Sequence, residues 1–134
     1  MKFPKPKKVS ISKLKKKARA VFSQYIRMKE MNPRGETMCV TCLTWKSYKE
    51  MQAGHFIPGC HNSVLFDERN VHPQCYTCNV ILGSNGPKYY EYMQRNYGMD
   101  VIKELERLDR INKQFKPFEL EAIYDIYKRK IEEL

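Results

Sequence analysis

Cys39-Val40-Thr41-Cys42 and Cys75-Tyr76-Thr77-Cys78 are the two stretches on which the reading of this chain turns. Each is a C-x-x-C pair, a spacing at which two thiolates on one tight turn reach the same ion. Together they offer four sulfur ligands, enough to close a tetrahedral shell around zinc. A closed shell has no open position for water or substrate, so the expected zinc is structural. Residues 43–74 lie between the pairs, more chain than a minimal zinc ribbon holds, and an inserted element is expected there. Cys60 falls inside that insert and reads as a free loop thiol. The alternative for the same cysteines is a set of unrelated, redox-active thiols.

Working outward, residues 51–57 read as a short strand, 58–69 as a loop and 70–74 as a second strand, with a helix beginning near the second cysteine pair. Upstream, Leu14, Ala18, Val21, Phe22 and Tyr25 recur at steps of three and four, which predicts an amphipathic helix over 12–31 with Ser12 as N-cap. Asn32-Pro33-Arg34-Gly35 ends it. Residues 1–11, rich in lysine and proline, form an extended basic arm. Downstream, Gly83-Ser84-Asn85-Gly86-Pro87 is turn chemistry, followed by helices over 88–97, stopped by Gly98, and over 99–113. Pro117 opens a last helix with Leu120, Ile123, Tyr127, Ile131 and Leu134 as its buried stripe. Tyr89, Tyr90, Tyr92 and Tyr97 are expected in the core in preference to stacking on bases.

Composition narrows the class. The 134 residues suit one domain, and 42% apolar with 30% charged residues is a globular composition. No apolar run approaches the ~18 residues of a membrane span. The basic amino terminus leads into no apolar segment with a cleavage site, so a cytoplasmic location without membrane contact is expected. Reduced thiols in that compartment argue against a disulfide framework. The net charge is +10, and Lys2, Lys5, Lys7, Lys8, Lys13, Lys15, Lys16, Lys17 and Arg19 all precede the first acid, Glu30. Such a block favours a polyanion, with nucleic acid ahead of an anionic membrane surface. Lys13, Lys15, Lys16, Lys17, Arg19, Arg69 and Lys88 are the candidate DNA contacts.

The insert then carries Ala53-Gly54-His55-Phe56 and Glu68-Arg69-Asn70-Val71-His72-Pro73-Gln74, the latter leading straight into Cys75-x-x-Cys78-Asn79. A histidine ending one strand, an asparagine on the next and a polar ligand opening a helix resemble the ββα-metal (HNH, or His-Me finger) nucleases. Residues 54–55 and 68–79, in this order, are most similar to the NinG/Rap recombination nucleases of lambdoid phages, and the C-x-x-C-N ending also resembles phage endonuclease VII. The resemblance implies an α+β fold: a single domain with the basic arm at 1–11, a helix at 12–31, a zinc-stapled ββα core at 37–86 and a helical part at 88–134. It implies a metal-dependent endonuclease for branched DNA such as D-loops and Holliday junctions, working in phage recombination in the host cytoplasm. A homodimer would supply paired cuts on a symmetric junction.

In that scheme His55 is the general base, Asn70 orients His55 or pins the loop, and Asn79 ligates a catalytic Mg²⁺ or Mn²⁺ through its amide oxygen. Most relatives place an acid immediately before the base histidine or three residues earlier, and here Gly54 and Gln52 stand at those positions. Gln52 and His72 are therefore candidate ligands, with Asp67, Glu68 and His61 further ones from the loop. A non-catalytic zinc module that binds nucleic acid, or an HNH nuclease with another role, fits the same residues.

Overall fold

The computed structural model describes residues 9–58 and 61–134, so Cys60 and the first eight residues of the arm lie outside the described residues. In chain order the elements are α1 (Ile11–Met28), β1 (Glu36–Met38), β2 (Trp45–Ser47), β3 (Gln52–His55), α2 (Asn62–Leu65), β4 (Val71–Gln74), α3 (Gly86–Asn96), α4 (Met99–Asp109) and α5 (Pro117–Glu132). A 3-10 turn spans Tyr48–Glu50 and a π-helical turn spans Thr77–Ile81. This is a small α+β architecture on two antiparallel hairpins, β1–β2 and β3–β4.

Helical spacing of apolar residues makes α1: Ala18, Val21, Phe22 and Ile26 are buried along one face. Its N-cap is Ser10 and not Ser12, because Ser10 is extended and its Oγ accepts the Lys13 N–H. The helix stops short of residue 31, since Asn32 Oδ1 takes the Arg34 and Glu36 amides and Gly35 turns at φ +75°. No acid sits in the first turn, and Lys13 crowds the positive end of the helix dipole. Those charges weaken the helix locally.

The β3–β4 hairpin is the middle layer. Its register pairs Gln52 with Gln74, Ala53 with Pro73, Gly54 with His72 and His55 with Val71. Opposed residues share a face, so Ala53 and Val71 pack toward α1 and α5 with Val21, Phe22, Ile26 and Tyr127. Phe22 sits edge-on to Phe66 and Tyr127, at 5.4 and 4.8 Å between ring centroids. A second core, of Val40, Val64, Tyr89, Met93, Ile102 and Leu105, joins α3 and α4 to the insert. Each such aliphatic side chain contributes about 1.5–3 kcal/mol when fully buried.

Several boundaries differ from the sequence reading. The strands are shorter, the 58–69 loop contains α2, and α4 stops at Asp109. The helix after the second cysteine pair is only the π-helical turn. The β1–β2 hairpin was not legible, because Glu-Thr-Met and Trp-Lys-Ser are too short for alternation to register. Tyr89 is fully buried as expected, Tyr90 is exposed, and the α5 stripe ends at Ile131 with Leu134 in solvent.

His72 is the polar centre of the α3 side of the hairpin. Tyr97 donates its hydroxyl to Nε2 and Nδ1–H donates to the Tyr89 oxygen, both at 2.9 Å, while the Tyr89 hydroxyl donates to the Gly54 carbonyl at 2.6 Å. One neutral tautomer satisfies the whole chain. Burial, aided by the Lys29 charge, pushes the His72 pKa down from 6.5 to about 3. The unfolded chain therefore binds a proton below its ordinary pKa that the folded chain refuses. Stability is complete above that value and falls as pH drops toward 3, by roughly 1.4 kcal/mol per pH unit. Urea unfolding between about pH 6 and 4.5 is expected to approach this slope, and His72→Asn is expected to reduce it, with His55 supplying the remainder. An unchanged slope in the variant would mean that His72 is not the group responsible.

Candidate functional site

The two knuckles bring Cys39, Cys42, Cys75 and Cys78 together, with all four sulfurs within 4.8 Å of one another. Leu43, at φ +65°, turns the first knuckle, and Cys39 N–H to Thr44 O at 2.9 Å closes it. Cys42 Sγ and Cys75 Sγ are 3.7 Å apart. That is close to the edge of a tetrahedron with zinc–sulfur bonds of about 2.3 Å. Burial raises the Cys39 thiol, but hydrogen bonds from Thr41 and neighbouring backbone amides outweigh it and bring the pKa down to about 6. Burial, with the Cys39 charge nearby, pushes Cys75 up to about 12. One thiolate is thus favoured and the next opposed, a conflict that a dication removes. The donor set fits one structural metal ion such as zinc.

Two contacts tie the knuckles to the hairpin. Val40 N–H donates to Pro73 O at 3.0 Å, and the buried Gln74 amide donates to Thr41 Oγ1 at 3.1 Å and to Ser84 O at 2.8 Å. Gln74 also explains Gly54. A Cβ on Gly54 would lie 1.9 Å from Gln74 Oε1, so Gln74 fills the space a residue-54 side chain needs. A carboxylate side chain at position 54 has no room here.

Against the other side of this unit lies a cleft of about 270 Å³ walled by Arg19, Phe22, Ser23 and Arg27 of α1 together with Met51, Gln52, Ala53, His55, Leu65 and Asn79. His55, Gln52 and Asn79 are brought together there with Arg19. His55 Nε2 is 3.1 Å from the Leu65 carbonyl. In the tautomer that donates this bond, Nδ1 keeps its lone pair. Burial lowers the His55 pKa, the Leu65 carbonyl works against that, the Arg19 charge lowers it further, and the Ala53 carbonyl raises it slightly. The ring is therefore neutral at neutral pH. Arg27 was missed in the sequence: its Nε donates to Ser23 O at 3.2 Å and its Nη1 to Tyr48 O at 3.1 Å. The available signal was the i, i+4, i+8 spacing of Arg19, Ser23 and Arg27 on one helix face.

Asn70 does not enter the cleft. It is buried, accepts from Ile57 N–H at 2.8 Å, and donates to Ile57 O and Val64 O, both at 3.2 Å, pinning the loop through backbone alone. His72 must be corrected as a ligand: it points to the opposite face of the hairpin and both ring nitrogens are engaged by tyrosines. The loop candidates are committed elsewhere, Asp67 to Arg69, Glu68 to Tyr127 and Lys130, and His61 to Asp109. Arg69 and Lys88 also stand away from the cleft, Lys88 on α3 beside Glu91. Lys13, Lys16 and Lys17 are exposed on α1 and Lys15 is half-buried, and none of them forms an ion pair among the described residues.

A resident Mg²⁺ or Mn²⁺ fits this cleft poorly. Hard dications prefer carboxylate oxygens, and no acid lines the walls. The amide oxygens of Gln52 and Asn79 are the polar alternative, and Asn79 Nδ2 already donates to Gln52 Oε1 at 2.6 Å. Arg19 and Arg27 add positive charge. The same features suit an anion.

These features define a small α+β protein with a four-cysteine metal centre beside an arginine-walled cleft. The family model described as "NinG: Bacteriophage Lambda NinG protein" matches residues 2–134, and the chain belongs to that family. It is 28% identical over 120 residues to "Protein ninG" of Salmonella phage P22, covering 89% of this chain and 56% of the relative. It is 27% identical to the protein of that name in Escherichia phage 933W, covering 89% of this chain and 57% of the relative. For the Escherichia phage lambda protein the identity is 26%, with 89% of this chain and 56% of the relative covered. The chain thus spans little more than half the length of these curated relatives. No solved structure matches it. No helix among the described residues is long and apolar enough to cross a membrane.

Two outcomes follow for the metal centre and its support. Elemental analysis is expected to give one zinc per chain, and chelation is expected to expose four reactive thiols and collapse the thermal transition, because metal binding here is coupled to folding. Thiols that react equally fast before chelation would rule out the tetrahedral site. Gly54→Asp is expected to lower stability by about 3 kcal/mol or more, through overpacking and a buried charge. It is expected to add no Mg²⁺ affinity in calorimetry.

Proposed function

We propose that this chain is a structure-specific DNA endonuclease of the ββα-metal (HNH, His-Me finger) kind, acting on branched DNA in phage recombination. The ββα element would be β3, β4 and the turn Thr77–Ile81. The observation that carries this reading is the convergence of a neutral His55 with Arg19, Arg27 and Asn79 in one cleft. The reaction is hydrolysis of a phosphodiester. His55 takes a proton from water, the water oxygen bonds to phosphorus, the phosphorus–oxygen bond to the leaving sugar breaks, and that oxygen takes a proton from solvent. Arg19 and Arg27 take up the charge that grows on the phosphate oxygens. Asn70 holds the loop that fixes His55 through Leu65. Lys13, Lys16 and Lys17 extend the positive surface along α1 for neighbouring phosphates. Mg²⁺ or Mn²⁺, implied by the resemblance, lacks a shell of its own here. Two protomers would match the two-fold symmetry of a junction.

One observation favours a second reading, a non-catalytic zinc-stapled module for nucleic acid. The Asn79–Gln52 hydrogen bond closes the two amides on each other, with no carboxylate beside them. The test is incubation of zinc-loaded protein with matched linear and four-way-junction DNA, with Mg²⁺, with Mn²⁺ and with neither. Cuts confined to the junction are expected, and His55→Ala is expected to slow them at least about 100-fold while leaving zinc content and DNA affinity intact. Tight binding with no cuts under any ion would select the binding module, and cutting that survives His55→Ala would remove the catalytic assignment.

A further inference from the structure

Immediately after Asn79, three consecutive aliphatic residues stand in solvent: Val80, Ile81 and Leu82, exposed by 49%, 66% and 54%. They belong to neither hydrophobic core. Leu43, Trp45 and Tyr76, beside the same cysteine knuckles, are also exposed. A run of this kind in a flexible loop would be unremarkable, but this one is rigidly built. Asn79 N–H donates to Cys75 O at 2.9 Å, Leu82 N–H to Thr77 O at 2.8 Å, Ser84 N–H to Asn79 O at 3.1 Å and Asn85 N–H to Leu82 O at 3.0 Å. Ser84 and Asn85 both adopt positive φ, at +76° and +49°, to turn the chain back. The fold spends two strained residues and a cysteine anchor on displaying three apolar side chains, which marks a contact surface.

Charge and position choose the occupant. From Arg69 to Tyr90 the sequence contains no Asp or Glu, and from Thr37 to Lys49 it contains none either, while Lys46 and Lys49 lie in the second stretch. Neither knuckle therefore offers a carboxylate to repel a polyanion. Asn79 lines the cleft and Val80 is the next residue, so a phosphate held beside His55 and Asn79 brings its neighbouring bases to this turn. Aliphatic side chains on rigid backbone enter DNA between base steps, at a cost set by the stacking they break. At a branch point that stacking is already interrupted.

We propose that Val80-Ile81-Leu82 is a wedge that enters DNA where base stacking is broken, and so selects branch points over continuous duplex. The proposal rests on the cleft being a DNA phosphate site, and names the feature of DNA it selects. The wedge acts in binding, before and independently of bond cleavage.

The test compares the zinc-loaded full chain with its Ile81→Ser/Leu82→Ser double variant, without added Mg²⁺ or Mn²⁺. The probes are a four-way junction carrying 2-aminopurine at the branch and a linear duplex of the same sequence. Both side chains are exposed, so zinc content and thermal transition are expected to be unchanged in the variant. Wild type is expected to raise 2-aminopurine fluorescence and prefer the junction. The variant is expected to lose that rise and about tenfold of the preference while keeping its duplex affinity. Retention of both signals by the variant overturns the wedge. So does a shift from dimer to monomer in sedimentation equilibrium that accounts for the loss, which would make this face a contact with a second copy. A protein that binds junctions with the fluorescence rise but never cuts refutes the hydrolase reading and leaves the wedge standing. Failure to bind any DNA overturns both.

Discussion

Four sulfur atoms within 4.8 Å can all be thiolates only around a cation, and the rest of the architecture depends on that constraint. With the ion in place, the turn at 39–42 and the turn at 75–78 become one rigid body. Chain geometry then fixes what hangs from it: β4 runs directly into Cys75, and Asn79 follows Cys78 by one residue. The hairpin partner β3 brings Gln52 against Asn79 and leaves His55 at its far end. A metal held there would set where the Asn79 amide and the His55 imidazole stand relative to each other. Gln74 reinforces the arrangement with uncharged contacts, bridging Thr41 and Ser84 across the two knuckles.

The parts legible in the sequence were those whose signal is local. Two C-x-x-C pairs announce the metal centre because the ligand spacing is itself the geometry. The α1 and α5 stripes announce packed helices because burial repeats with the helical period, and α5 was read from its opening proline onward. What escaped were properties made by contact between distant segments. His72 reads as a possible ligand in the sequence alone, but Tyr89 of α3 and Tyr97 just past its end occupy both nitrogens. Gly54 read as a missing acid, whereas its meaning lies in Gln74 across the hairpin, which takes the volume. Asp67 and Glu68 read as available ligands, but Asp67 is claimed by its neighbour Arg69 and Glu68 by Lys130, a cation that sequence distance hides. Arg27 was overlooked because a lone arginine near a helix C-terminus is ordinarily a dipole partner; only the packing of α1 on β3 turns it toward a cleft.

The basic face of α1 opposes the stability of its own helix. Lysines at the amino-terminal end oppose the helix dipole, and no first-turn acid compensates. The helix persists because its other face is fixed by tertiary packing against α5 and the hairpin. Lys17 lies over the Tyr124 ring at 4.1 Å, an attraction that leaves its charge uncancelled. A helix held by packing can carry a repulsive face that an isolated helix could not.

The same electrostatics couple the cleft to what enters it. Arg19 and burial together hold the His55 pKa down, so the imidazole stays unprotonated in the empty cleft. A phosphate between the arginines would neutralise part of that field, and the His55 pKa would rise toward its ordinary value. A base whose pKa climbs as the anion binds is available when free and more strongly proton-seeking when occupied. Brønsted behaviour makes that the favourable direction for general-base catalysis, provided the pKa stays near the working pH. An acidic metal ligand at residue 54 or 52 would bias the field the opposite way, by raising the His55 pKa before any substrate arrived. Gly54 and Gln52 are therefore consistent parts of one cleft, in which burial, the arginines and a wall without acids keep the histidine neutral.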